Sequence, residues 1–264
     1  MSLKISKKII GYDDEMSFFL SLYNSKKLPS AILINGESGI GKYTFVLHLL
    51  KNIFKFNINN NDLENYLTNQ KSIFILKKKE EENNYKIDEI RKIIDFCKLK
   101  SLGNESKFIV IKDINFLNAS CTNALLKIIE DTPENTFFIF TNDIMEKCLE
   151  TLKSRMFEKK FFLNKKYYSK IIENFFIENN FQIKTLINDS SSPGVFLRFV
   201  KNFKDTCNND LNSYLIKKNN DFYTYKILSK FMIENKYKYE DFKKLKININ
   251  LKNDIKNFFK YLNN

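Results

Sequence analysis

The sequence predicts an α/β domain followed by an all-helical region, with the change of character after Leu163. Three observations predict it. Ala31–Asn35 is an apolar run that suits a strand buried on both faces, and Ser72–Leu76, Lys107–Lys112 and Thr136–Thr141 are further strand candidates. Segments with apolar residues at helical spacing separate them, and that alternation favours right-handed βαβ units in a parallel sheet covered on both faces by helices. Beyond Leu163 the strand-like runs give way to helical segments separated by polar turns.

In chain order, residues 14–27 read as a helix, with Met16, Phe18, Phe19, Leu22 and Tyr23 near helical spacing. The Ala31–Asn35 strand runs into a glycine-rich turn, and a helix from Thr44 to Phe56 follows. Residues 57–70 are Asn-rich and carry no pattern. The second strand precedes a charge run, Lys77 to Asn84, read as a solvated loop. Ile87, Ile90, Ile93 and Ile94 mark a helix whose first turn holds Asp88 and Glu89, as the helix dipole favours. After the third strand, Asn118 caps a helix carrying Leu125, Leu126, Ile128 and Ile129, which Pro133 ends. The fourth strand and a short fifth, Lys159 to Leu163, complete the first domain, residues 1–163. The break at Ser190-Ser-Ser-Pro-Gly194 lies within a small helical unit, 164–203, and a further helical unit spans 204–264.

Composition narrows the function classes. The 264 residues allow one large or two to three small domains. With 43% hydrophobic and 15% aromatic residues, a disordered chain is excluded, and only 3 Pro and 6 Gly argue against a turn-rich all-β protein. No apolar run approaches the ~18 residues of a spanning helix. Met1 to Ile10 has Lys4, Lys7 and Lys8 but no apolar stretch behind them, so it does not read as a secretory signal. A cytoplasmic protein without membrane contact is expected. Cys97, Cys121, Cys148 and Cys207 are scattered without a CxxC pair, and His48 is the sole histidine, so neither a zinc site nor another metal cluster is expected.

The net charge of +13 permits nucleic-acid contact without establishing it. The chain has 3 Arg against 41 Lys, with many Asn, Ile, Phe and Tyr, residues that share A/T-rich codons. Base composition accounts for much of the excess. It also draws attention to the surviving arginines, Arg91, Arg155 and Arg198.

The strongest local signal is Gly36-Glu-Ser-Gly39-Ile-Gly41-Lys42-Tyr43-Thr44, which fits the G-x-x-x-x-G-K phosphate loop and lies between a strand and a helix as that motif requires. Glycines let backbone N–H groups approach phosphate oxygens, the helix N-terminus adds partial positive charge, and Lys42 would reach the β- and γ-phosphates. Two departures stand out. Tyr43 occupies the place of the small hydroxyl that binds Mg²⁺, and Thr44 lies about 100° further round the helix. At the end of the third strand, where a P-loop enzyme carries acids for Mg²⁺ and water, Lys112 precedes Asp113. Asp113 reads equally as an ordinary strand-end acid and as a metal-site acid. Both departures point to impaired or lost nucleotide hydrolysis and poor magnesium handling, with ATP or ADP still able to sit on the loop.

With these residues in view, the chain resembles the AAA+ clamp-loader family, and within it the delta-prime type of the bacterial DNA polymerase III clamp loader. The resemblance begins at Ile10-Gly11 and runs through Leu28-Pro-Ser-Ala-Ile-Leu-Ile34 into the phosphate loop. Ile87-Asp-Glu-Ile-Arg91 is similar to the family's helix after the second strand. Asn123-Ala-Leu-Leu-Lys-Ile-Ile-Glu130 with Pro133 resembles the "NALLK-LEEP" helix, and Thr136–Thr141 the strand bearing sensor 1, which puts Thr141 or Asn142 near that role. Leu152-Lys-Ser-Arg155-Met156 resembles the "SRC" motif with Met156 for its Cys, and Ser192–Leu197 resembles the start of the lid helix, with Arg198 close by. The resemblance covers about residues 10 to 200. It lacks the four-Cys zinc module that many relatives carry before the second strand.

The resemblance implies an AAA+ domain (1–163), a lid (164–203) and a helical collar (204–264) that oligomerises. It implies a stator that helps load the sliding clamp onto primer-template DNA, in a hetero-oligomer with gamma/tau-type and delta-type subunits. Arg155 would act in trans as an arginine finger on a neighbour's nucleotide, with Ser154 orienting the segment. Two other readings stand beside it: an active gamma/tau-type ATPase that tolerates Tyr43, and an unrelated P-loop NTPase. The aromatic C-terminal residues are expected to pack in the core and between subunits.

Overall fold

The computed structural model describes residues 9–178 apart from 61, 80–81, 100–104 and 147, together with 192–194 and 197. One compact unit is Lys7–Leu163, and a second begins at Asn164. The elements of the first unit are α1 (Asp13–Asn24), β1 (Ala31–Gly36), α2 (Lys42–Ile53), α3 (Leu63–Thr68), β2 (Ile73–Leu76), α4 (Ile87–Lys98), β3 (Lys107–Ile111), α5 (Ala119–Glu130), β4 (Thr136–Asp143), α6 (Glu150–Lys153) and β5 (Phe157–Lys160), with a 3₁₀ turn at Ile114–Phe116. Within the second unit, α7 spans Lys165–Glu178, and Pro193 and Gly194 are helical. Arg198, Cys207, most of the helical unit expected at 164–203 and all of that expected at 204–264 lie outside the described residues. Among the described residues, no helix is long and apolar enough to cross a membrane.

The five strands are all parallel and ordered β2-β3-β4-β1-β5. β1 and β3 are buried at every position, which is why their sequences show no polar alternation. Period-two geometry divides their side chains between two cores. Ile32, Ile34, Phe108, Val110 and Ile139 pack toward α1, α2 and α3. Leu33, Ile109, Ile111, Phe138 and Phe140 pack toward α4 and α5. The crossover from β1 to β2 passes beyond β4 and β3, and the next two crossovers step back toward β1. Right-handed connections therefore place α2 on one face and α4 and α5 on the other. Where that direction reverses, beyond the carboxyl ends of the strands, an open α/β sheet has its crevice. The glycine loop after β1 sits there.

Helix ends differ from the sequence reading for a local reason. α1 stops at Asn24 and α2 at Ile53, because Lys26 (φ 57°) and Lys55 (φ 53°) turn left-handed. Lys27 N–H bonds Leu22 O at 2.8 Å and Lys26 N–H bonds Tyr23 O at 3.0 Å; Phe56 and Lys55 repeat the pattern on Lys51 and Asn52. These are Schellman terminations built on lysine in place of the usual glycine. α2 begins at Lys42, before Thr44, because the left-handed Gly41 ends the loop directly. In the Asn-rich stretch, α3 is a helix the sequence pattern missed, its buried residues being Leu63 and Leu67.

The fifth strand is Phe157–Lys160, shifted from Lys159–Leu163. As an edge strand it pairs with β1 alone, so polar residues suffice along it. The apolar Phe161 instead leaves the strand and packs beneath the glycine loop, 4.8 Å from Phe45 and 5.1 Å from Tyr12 between ring centroids.

Candidate functional site

The phosphate-loop sequence forms a tight turn between β1 and α2. A Cβ at Gly36 would lie 2.6 Å from Phe161 O and 2.9 Å from Ile40 Cδ1, so only glycine fits there. Gly39 (φ 80°) and Gly41 (φ 95°) supply the left-handed turns. The buried Tyr12 donates to Ile40 O at 2.9 Å and pins the loop from below. Lys42 is buried, and its ammonium donates to Gly36 O and Glu37 O at 2.6 Å each. The N-terminus of α2 and the glycine backbone fit a phosphate group. Thr44 is half-buried in the first turn of α2.

Tyr43 turns out to α3. Its hydroxyl donates to Glu64 Oε1 at 2.8 Å, and the Lys77 ammonium bridges the same carboxylate. Burial, and then the Glu64 charge, hold the phenol protonated well above its ordinary range. The hydroxyl that would stand for the Mg²⁺ ligand is thus committed elsewhere. Glu64 and Lys77 were missed by sequence reasoning, because one falls in the unpatterned stretch and the other in a charge run.

At the end of β3, Asp113 adopts φ 58°. Its amide N–H donates to Thr141 Oγ1 at 2.9 Å, and that hydroxyl lies 3.4 Å from Asp113 Oδ1. Lys112 Nζ sits 3.8 Å from Asp113 Oδ2 and 5.3 Å from the Tyr43 ring centroid. The Tyr85 hydroxyl donates to Lys112 O and accepts from Lys78 N–H at 3.1 Å, fixing the backbone of this corner. Among the described residues, no group of three or more His, Cys, Asp or Glu is placed to hold a metal.

The two sensor candidates separate. Strand alternation puts Thr141 on the α2 face with Ile139, where it meets Asp113. Asn142 lies on the opposite face with Phe140. There Asn142 Nδ2 donates to Asn35 Oδ1 at 3.2 Å and to Asp143 O at 2.9 Å. Asn35 Nδ2 donates in turn to Glu158 Oε1 at 2.8 Å, and Lys153 Nζ lies 3.3 Å from Glu158 Oε2. The Asn35 hydrogen bond, aided by Lys153, holds the Glu158 carboxyl below its ordinary range.

Arg155 stands apart from all of these. It lies two residues before β5, whose first residue pairs with Ile32 while Lys160 pairs with Asn35. Arg155 is therefore at the amino end of the sheet and the glycine loop at the carboxyl end, with the β1–β5 ladder, about 10 Å long at ~3.3 Å per residue, between them. It is exposed, with Nε 2.5 Å from Glu130 Oε1 and Nη1 donating to Thr151 O at 2.9 Å. Ser154 closes α6, its hydroxyl donating to Thr151 O at 3.2 Å. Arg91 is an exposed residue paired with Asp88 within α4.

The model of a family described as DNA polymerase III, delta subunit, matches residues 12–163. The chain is 25% identical over 154 residues to DNA polymerase III subunit gamma/tau of Mycoplasma genitalium, covering 56% of this chain and 26% of that protein. It is 28% identical over 145 residues to DNA polymerase III subunit delta-prime of Buchnera aphidicola subsp. Schizaphis graminum, covering 52% of this chain and 44% of that protein. The chain thus spans less than half the length of these relatives. A crystal structure of a DNA polymerase III gamma subunit-related protein from Thermotoga maritima shares the fold at TM-score 0.51 and 19% identity, over 85% of this chain and 75% of that one.

Proposed function

Because the chain belongs to the clamp-loader-type DNA polymerase III, delta subunit family, we propose that it is a delta-prime-like stator of a clamp loader. It works in the cytoplasm within a hetero-oligomer of gamma/tau-type and delta-type subunits. That complex loads the sliding clamp onto primer-template DNA. Residues 1–163 form its nucleotide-binding-type domain, 164–203 a lid and 204–264 an oligomerising collar. ATP or ADP is held without turnover, and no zinc takes part.

The observation that carries this reading is the placement of Arg155 at the opposite end of the sheet from Gly36–Lys42. An arginine there lies away from its own loop, and its pair with Glu130 leaves it on the surface, where it can face a neighbour's. A guanidinium beside a transferring γ-phosphate stabilises its charge, an effect of about 10³–10⁵ in rate in P-loop systems. The departures at Tyr43 and Lys112 support the division of labour, in which the chain lends a finger and does not itself hydrolyse. Matches to gamma/tau-named proteins favour a second reading, an active ATPase; it requires the site to work with the Tyr43 hydroxyl bound to Glu64. Co-purification with gamma/tau-type and delta-type subunits tests the proposal. Failure to assemble with them would overturn it.

A further inference from the structure

A P-loop site neutralises its phosphates with a magnesium ion held from two places: the small hydroxyl after the loop lysine and the acids at the end of a neighbouring strand. Here both places depart from that pattern. The first is Tyr43, whose hydroxyl donates to Glu64. The second is Lys112-Asp113, where one aspartate stands in place of an acid pair: its backbone N–H donates to Thr141 Oγ1, and its carboxylate faces the Lys112 ammonium at 3.8 Å. Between these two places lies a positive charge the protein supplies itself. Lys112 Nζ is 5.3 Å from the Tyr43 ring centroid and 3.8 Å from Asp113 Oδ2. An ammonium in that position repels a divalent cation. It also carries three N–H donors on a flexible four-carbon stem, and its side chain is 37% exposed, so it can turn from the ring to a phosphate oxygen.

We propose that the Lys112 ammonium replaces the magnesium ion, so that the Gly36–Lys42 loop takes a nucleoside di- or triphosphate as its metal-free anion. Lys42, Lys112 and the α2 N-terminus together supply the positive charge. An ammonium balances phosphate charge but coordinates no water, so the bound nucleotide stays intact. The inference rests on the phosphate-loop reading of Gly36–Lys42 and is independent of the stator role.

The test is titration of the full chain with a fluorescent ADP analogue in EDTA and in millimolar Mg²⁺. The expected result is the same Kd in both to within about threefold. Lys112→Met should weaken binding in EDTA by about tenfold, or 1.4 kcal/mol, without rescue by Mg²⁺. The double variant Tyr43→Ser/Lys112→Asp should make binding Mg²⁺-dependent. Circular dichroism verifies folding, and Lys112→Gln serves as a second variant should Lys112→Met unfold. Wild-type binding at least tenfold tighter with Mg²⁺, or binding indifferent to both Lys112 variants, overturns the inference. No binding in either buffer also overturns it, while assembly with clamp-loader subunits would still report separately on the stator role.

Discussion

The Tyr43 hydroxyl donates to Glu64 Oε1 at 2.8 Å, and that bond fastens the first turn of α2 to α3. The residue that should serve the phosphate site therefore serves the packing of two helices. Little or no ATP turnover is expected from the isolated chain. Turnover above ~1 s⁻¹, within the ordinary enzyme range, that is lost in Lys42→Ala would show an active ATPase.

The glycine loop gives a second expectation, about stability. Gly36→Ala drives a Cβ against the Phe161 carbonyl and should destabilise the domain by about 3 kcal/mol or more. Gly41→Ala meets open space and suffers only its left-handed backbone, a cost of about 1–2 kcal/mol. Urea denaturation of the two variants side by side checks the order. Equal midpoints would mean that Phe161 yields easily.

Glu158 gives a pH dependence. Its folded-state pKa lies below the ordinary value, so the stability it adds is fully present above the unfolded pKa of about 4.3 and is lost as pH falls through the folded pKa. Glu158→Gln should therefore lower the urea midpoint at neutral pH, and the gap to wild type should close in acid below the ordinary glutamate range. A gap that is constant with pH would mean that the Asn35 and Lys153 partners do not set the carboxyl's charge.

How much of this was written in the sequence varies by element. The strands at Ala31, Lys107 and Thr136 were legible because burial on both faces demands unbroken apolar runs. The glycine loop was legible because its conformation admits few other residues. α3 was not, since it buries only two leucines and its remaining ties, Tyr43 to Glu64 and Phe56 to Tyr66, come from residues distant in sequence. The misplaced fifth strand shows the same limit from the other side: Phe161 is apolar because it packs under the loop, while the edge strand is polar after Phe157. The Tyr43–Glu64–Lys77 chain joins residues 13 and 21 positions apart, which no local pattern reveals. The choice between Thr141 and Asn142 needed the strand's facing, which assigns Thr141 to Asp113 and Asn142 to Asn35.

The central claim is that Arg155 serves a neighbour's nucleotide. Its exposed pair with Glu130 should add only about 0–1 kcal/mol to stability, so Arg155→Ala is expected to fold and assemble as wild type does. The direct measurement is clamp- and DNA-stimulated ATPase of the reconstituted complex containing wild-type, Arg155→Ala or Arg155→Lys chain at equal assembly. A fall of at least about tenfold for Ala, with poor rescue by Lys because an ammonium lacks the bidentate fork, is the expected result. Equal rates for all three would show that Arg155 is a surface residue and contradict the claim.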